Sequence, residues 1–260
     1  MNETSILCET CGYPLEGLSP GAACPECGRD AASSLPGARP GSPWQRSRGL
    51  ASWARTGLRA AIAPSALMRE VRIAGRGWDL VALNLLASAM LIAAPWTGVF
   101  VGDPLRGISR IDSLGTLARV LAVIGLQVLG VFAVLWLLTW VEVVGIRFFS
   151  RRRGWRLTRA GSWQVCAHAS YGWLISGVLP LLLLSTLFGV QRVFGVAPGG
   201  SFSLAPIWNT RLAWYEVVGV GGPLVGYFVG MLAFEMLVYR GVRQCRYAAT
   251  EAAPGSNPVN

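Results

Sequence analysis

Val120 to Val141 reads VLAVIGLQVLGVFAVLWLLTWV, a run without one charged side chain. A helix rises about 1.5 Å per residue, so about 20 apolar residues cross a hydrocarbon core of about 30 Å. This stretch predicts a transmembrane helix. Three further runs satisfy the same rule: Leu80 to Val101, a part of the charge-free stretch between Ala160 and Gln191, and Leu212 to Tyr239. Splitting the Ala160 to Gln191 stretch would leave two segments too short to cross. The expectation is an all-α polytopic membrane protein with four transmembrane helices in residues 78–240. Composition agrees, with 53% hydrophobic and 14% charged residues, and excludes an ordinary soluble domain.

The net charge of +10 comes from arginine alone, since the chain has no lysine. Arginines cluster before the first run (Arg39, Arg46, Arg48, Arg55, Arg59, Arg69, Arg72, Arg76), after the second (Arg147, Arg151, Arg152, Arg153, Arg156, Arg159) and after the fourth (Arg240, Arg243, Arg246). The remaining connections hold only Arg106, Arg110, Arg119, Arg192 and Arg211. By the positive-inside rule both termini and the middle loop face the cytoplasm, which places the chain in an inner, cytoplasmic membrane. Trp78, Trp140 and Trp163 at one interface and Trp96, Trp208 and Trp214 at the other suit aromatic belts. The start, MNETSILCET, lacks a basic region followed by a long apolar stretch, so no cleavable secretory signal is expected.

Ahead of the spans, Cys8-Glu-Thr-Cys11-Gly12 and Cys24-Pro-Glu-Cys27-Gly28 form two CxxCG knuckles. Two residues between the cysteines let both sulfurs reach one ion, and the glycine permits a left-handed turn that aims N–H groups at the thiolates. Residues 1–30 therefore read as a zinc ribbon with one structural zinc on Cys8, Cys11, Cys24 and Cys27. Four protein ligands leave no position for a metal-bound water. An iron centre uses similar ligands, so the choice of zinc or iron stays open. Cys166 and Cys245 read as free thiols, the latter in a tail.

Residues 31–52, with Pro36, Pro40, Pro43, Gly37, Gly41 and Gly49, read as a flexible linker. Residues 53–77 read as a basic amphipathic juxtamembrane segment lying in the headgroup region. Leu50, Trp53, Ala54, Leu58 and Ala61 share one side there, and Arg48, Arg55 and Arg59 another. Residues 241–260 form a cytoplasmic tail.

The run CETCGYPLEGLSPGAACPECGRD over residues 8–30 resembles the short zinc ribbon that heads many bacterial multi-span membrane proteins. More loosely, the body is similar to the Yip1-type family of small polytopic membrane proteins, through Ala63-Pro64-Ser65 before the first span and HASYGWLISGVLPLLLLSTL in the third. That resemblance implies membrane organisation or trafficking-type interactions and no catalytic residues.

Gly219, Gly222, Gly226 and Gly230 form a small-residue stripe along the fourth span, open to an internal helix or to a second copy of the chain. Ionisable groups inside a membrane are functional candidates by default, so Glu142, His168 and Glu235 form a candidate intramembrane polar site. No nucleophile elbow, Walker loop or HExxH motif occurs, and an enzyme is not expected. The expected function is that of a membrane-embedded interaction or membrane-organisation module with lipids and an unknown protein, bound through the ribbon, as partners. The alternative is a small transporter or channel using Asn84, Gln127, His168 and Glu235. Nucleic acid is not an expected partner, because residues 1–28 contain no Arg or Lys to contact phosphates.

Overall fold

The computed structural model describes residues 6–19, 21–75, 77–101, 114–194, 201–203 and 211–250. Regular structure among them is helical, apart from a short antiparallel pair, Ser201–Ser203 with Arg211–Ala213, and two isolated bridges in the ribbon. The helices are α1 (Pro43–Arg46), α2 (Leu50–Ile62), α3 (Pro64–Glu70), α4 (Trp78–Val101), α5 (Leu114–Arg152), α6 (Arg159–Ala169), α7 (Tyr171–Phe194) and α8 (Trp214–Cys245).

Three stretches among the described residues are long and apolar enough to cross a membrane: Leu117–Arg152, Arg159–Leu183 and Leu224–Cys245. Trp78–Ala94 is a shorter apolar helix, so three of the four expected spans meet this criterion among the described residues. The expected boundaries also shift. Helix α5 has 39 residues and measures about 58 Å at 1.5 Å per residue, well beyond a hydrocarbon core. The third apolar stretch is divided at Ser170 into α6 and α7, and α6 is buried from Gly161 to Ala169. Trp163 accordingly sits inside, its ring stacked on Trp78 at 4.9 Å, while Trp140 is exposed. The belt residues Trp96, Trp208 and Trp214 lie outside the residues whose side chains are described.

The chain divides into two compact units. One comprises Met1–Leu83, Leu137–Tyr171 and Phe234–Asn260. It contains the ribbon, α1 to α3, α6 and the end of α8. The stretch expected as a flexible linker is built into this unit. Asp30 caps a 3-10 turn over Ala31–Ser34, and Ser42 and Gln45 form a reciprocal capping box on α1 with Pro43 at its first position. Arg39, Ser42 and Pro43 are buried there. Cys245 is likewise the buried last residue of α8 and not part of a free tail.

The other unit, Asn84–Trp136 and Gly172–Ala233, holds the stripe of small residues. A Cβ on Gly226 would strike the ring of Pro180, and one on Gly230 would strike Ser176, both on α7. These two positions therefore serve a contact within the chain. Gly222 faces open space, and the surroundings of Gly219 lie outside the described residues. Replacing Gly230 with leucine forces α7 and α8 apart where the backbone of Ser176 cannot yield. Its expected cost is about 1–3 kcal/mol, read as a lowered unfolding midpoint in detergent.

Candidate metal centre and its docking onto the helices

Both cysteine knuckles fold by the same local rule. Gly12 and Gly28 adopt positive φ values of 81° and 72°, and their N–H groups donate to the carbonyls of Cys8 and Cys24 at 2.8 Å. Cys8 N–H donates to Tyr13 O at 2.8 Å, and Cys24 N–H to Arg29 O at 2.7 Å. Matching bridges, Leu7 with Pro14 and Ala23 with Asp30, close each knuckle. Among the described residues the hydrophobic cluster beneath them holds Cys8, Leu15, Cys24 and Ala31, with Ile6 and Leu18 at its edge. So small a core cannot hold a fold by burial alone.

The four sulfurs lie within 4.8 Å of one another, close enough to hold a metal ion. The shortest separations are 3.5 Å, Cys8 to Cys27, and 3.6 Å, Cys11 to Cys24. A tetrahedron with metal–sulfur bonds of about 2.3 Å has edges of about 3.8 Å, whereas a disulfide needs about 2.05 Å. The spacing fits a shared ion, and all six cysteines are free.

Charge on the thiols points the same way. Burial would raise Cys8, but the N–H groups of Cys11 and Thr10 and the neighbouring thiols outweigh it and bring it to about 7. Cys11 is pushed up to about 12, first by burial and then by the other thiols, and Cys27 is also raised. The Cys8 thiolate forms most readily, and Cys11 and Cys27 beside it are held back from ionising, so a cation among them would favour their thiolate forms.

The ribbon is docked, not tethered. The Arg39 guanidinium grips the Glu9 carboxylate, Nε to Oε1 at 2.9 Å and Nη2 to Oε2 at 3.3 Å. It also donates to Met68 O and Val71 O at the end of α3 and to Gln244 O at the end of α8. Arg246 donates to Thr10 O, and the Tyr247 ring lies so close to Gly12 that a Cβ there would approach it to 2.8 Å. Gly12 is thus required twice, for its backbone angle and for this contact.

Of the intramembrane candidates, His168 is buried. Its Nδ1 lies 2.8 Å from Gln164 O; a carbonyl only accepts, so Nδ1 carries the proton and Nε2 accepts from the Ser42 hydroxyl at 2.9 Å. Glu142 is half-buried and Glu235 exposed on its helix. Among the described residues only the four cysteines form a group of three or more that could hold a metal ion, so these three side chains are not gathered as ligands. Sequence reasoning missed Arg39 and Ser42. Ser42-Pro43-Trp44-Gln45 is a legible capping box, but nothing local marks Arg39, whose partners lie 29 to 206 residues away.

A second ion pair ties α2 to α3. Arg59 meets Glu70 bidentately at 2.5 and 2.7 Å, and these hydrogen bonds, against the opposing effect of burial, hold the Glu70 carboxyl below its ordinary value. A depressed carboxyl contributes stability above its unfolded value of about 4.3 and loses it as pH falls through the lower folded value. Glu70→Gln is expected to abolish that part of the acid sensitivity, at a cost of no more than about 1 kcal/mol at pH 7 because the pair is partly exposed. Acid titrations of both proteins, followed by helix content, check this.

Fold and site together define a helical protein with stretches long and apolar enough to cross a membrane and an N-terminal four-cysteine group able to hold a metal ion. No family model matches the chain, and neither any curated protein nor any solved structure matches it.

Proposed function

We propose that the chain is an integral protein of a bacterial inner membrane with four spans and both termini in the cytoplasm. In this reading a structural zinc ion shapes the N-terminal ribbon, which acts as a non-enzymatic interaction or membrane-organisation module. The carrying observation is the four-sulfur cluster, whose closed ligand set suits a fold-holding ion and whose thiols need a reducing compartment. Helix α4, with 24 residues, has the length for the fourth span. Tyr13, Pro14, Glu16, Pro25 and Glu26 remain exposed on the docked ribbon and supply its contact face.

A photo-crosslinker at Glu16 or Glu26 is expected to trap one discrete protein in cells, while the same probe at lipid-facing Leu126 traps lipid. Adducts with lipid alone at all three positions would refute the interaction reading. Reporter fusions after residues 105, 155 and 250 check the topology, and an extracytoplasmic signal at 155 would overturn it.

A further inference from the structure

Helix α2 is inverted relative to a helix in water. Its buried residues are Ser52, Thr56 and Ala60, whereas Leu50, Leu58 and Ile62 are 80%, 60% and 72% exposed. The hydroxyl face is satisfied internally: Thr56 donates to Ser52 O and accepts from Trp44 N–H, and Ser52 and Ser47 share a hydrogen bond at 2.7 Å. An apolar face of this kind suits the acyl region of a bilayer, into which an in-plane helix sinks its hydrophobic side.

Beside that face lies a cleft of about 300 Å³ lined by Arg46, Ser47, Ser52, Arg55, Leu58 and Arg59. Three guanidinium groups and two hydroxyls surround it, and no carboxylate is in its wall. Glu70 pairs with Arg59 from outside the cleft and is also near enough to attract Arg46, which leaves Arg55 and part of the charge of Arg46, both exposed, to balance a further anion. Guanidinium forks match phosphate oxygens bidentately. Leu58 belongs to both surfaces, so an anion in the cleft and a chain along α2 can belong to one molecule.

We infer that the cleft between α1 and α2 is a binding site for the phosphate of an anionic phospholipid, whose acyl chains lie along Leu50, Leu58 and Ile62. This rests on the membrane reading above and is independent of the ribbon. A larger cleft of about 530 Å³ beside Trp44 and Trp78 is the weaker candidate, because its charged groups are already engaged: Arg48 pairs with Asp79 at 3.2 Å, and Arg72 Nε donates to Arg39 O at 3.0 Å.

Native mass spectrometry of the purified full chain in detergent tests the inference, with phosphatidylglycerol, phosphatidylcholine and inorganic phosphate as probes. Phosphatidylglycerol is expected to bind in preference to phosphatidylcholine, which has the same phosphodiester but no net charge, and excess inorganic phosphate should not displace it. Each arginine near an anionic lipid contributes roughly fivefold, so Arg46→Gln with Arg55→Gln should weaken binding by roughly thirtyfold. Arg69→Gln, whose side chain bonds its own helix at Ser65 O, should leave binding unchanged. Unchanged binding in the double variant, or equal binding of phosphatidylcholine, would overturn the site. Displacement by inorganic phosphate would instead assign the cleft to a soluble anion and overturn its lipid ligand. Carbonate-resistant membrane association of the wild-type chain checks the membrane reading separately.

Discussion

Cys24→Ser is expected to lower bound metal from one equivalent per chain to near zero and to release residues 6–31 from their fold. Cys24 is buried and is both one of the four sulfurs close enough to hold an ion and, among the described residues, one of four buried residues in the ribbon's hydrophobic cluster. Structural zinc sites supply apparent folding free energies of about 10–16 kcal/mol, comparable with the whole stability of a typical domain. Burial of two aliphatic side chains, Leu15 and Ala31, cannot replace that; a fully buried leucine contributes about 1.5–3 kcal/mol. Amide protection should therefore vanish through both knuckles, and trypsin should cut after Arg29, while α5 to α8 keep their helix content. Cys166→Ser is the control, since that buried thiol stands apart from the cluster and its loss should leave metal content unchanged. Full metal content and intact protection in Cys24→Ser would sink the structural role.

The apolar runs and the CxxCG knuckles were legible because each depends on neighbours in sequence: a span needs an uninterrupted apolar length, and a knuckle needs two cysteines, two spacers and a glycine. Residues 31–52 were misread because their proline, glycine and serine content speaks only of the unfolded chain's local preferences. What orders them is long-range. Gly41 N–H donates to Glu70 O, Gln45 bonds both the carbonyl and the N–H of Arg72, and Ser42 reaches His168 across 126 residues. The polarity of α2 was half legible. Its periodicity separates leucines from arginines, but only the packing shows that the third side, Ser52, Thr56 and Ala60, is the buried one.

Arg39→Ala is expected to destabilise the first unit by about 3–5 kcal/mol, and Arg39→Lys by nearly as much. The side chain is 7% exposed and has five N–H donors, for which five oxygens are present: both of Glu9 and the carbonyls of Met68, Val71 and Gln244. Removing it strands the buried Glu9 carboxylate and uncovers carbonyls at the ends of α3 and α8, where the helix dipoles favour a cation. Lysine restores the charge, yet its three donors on one nitrogen cannot span acceptors held on the ribbon, α3 and α8 at once. Glu9→Gln keeps one acceptor and should cost less than either. Because the ribbon then loses its hold on the end of α8, hydrogen exchange around Gln244 and Tyr247 should rise in Arg39→Ala even while the metal stays bound. That outcome separates docking from metal binding: a ribbon that is only tethered would leave exchange at α8 unchanged, and a wild-type unfolding midpoint in Arg39→Lys would show that charge alone suffices.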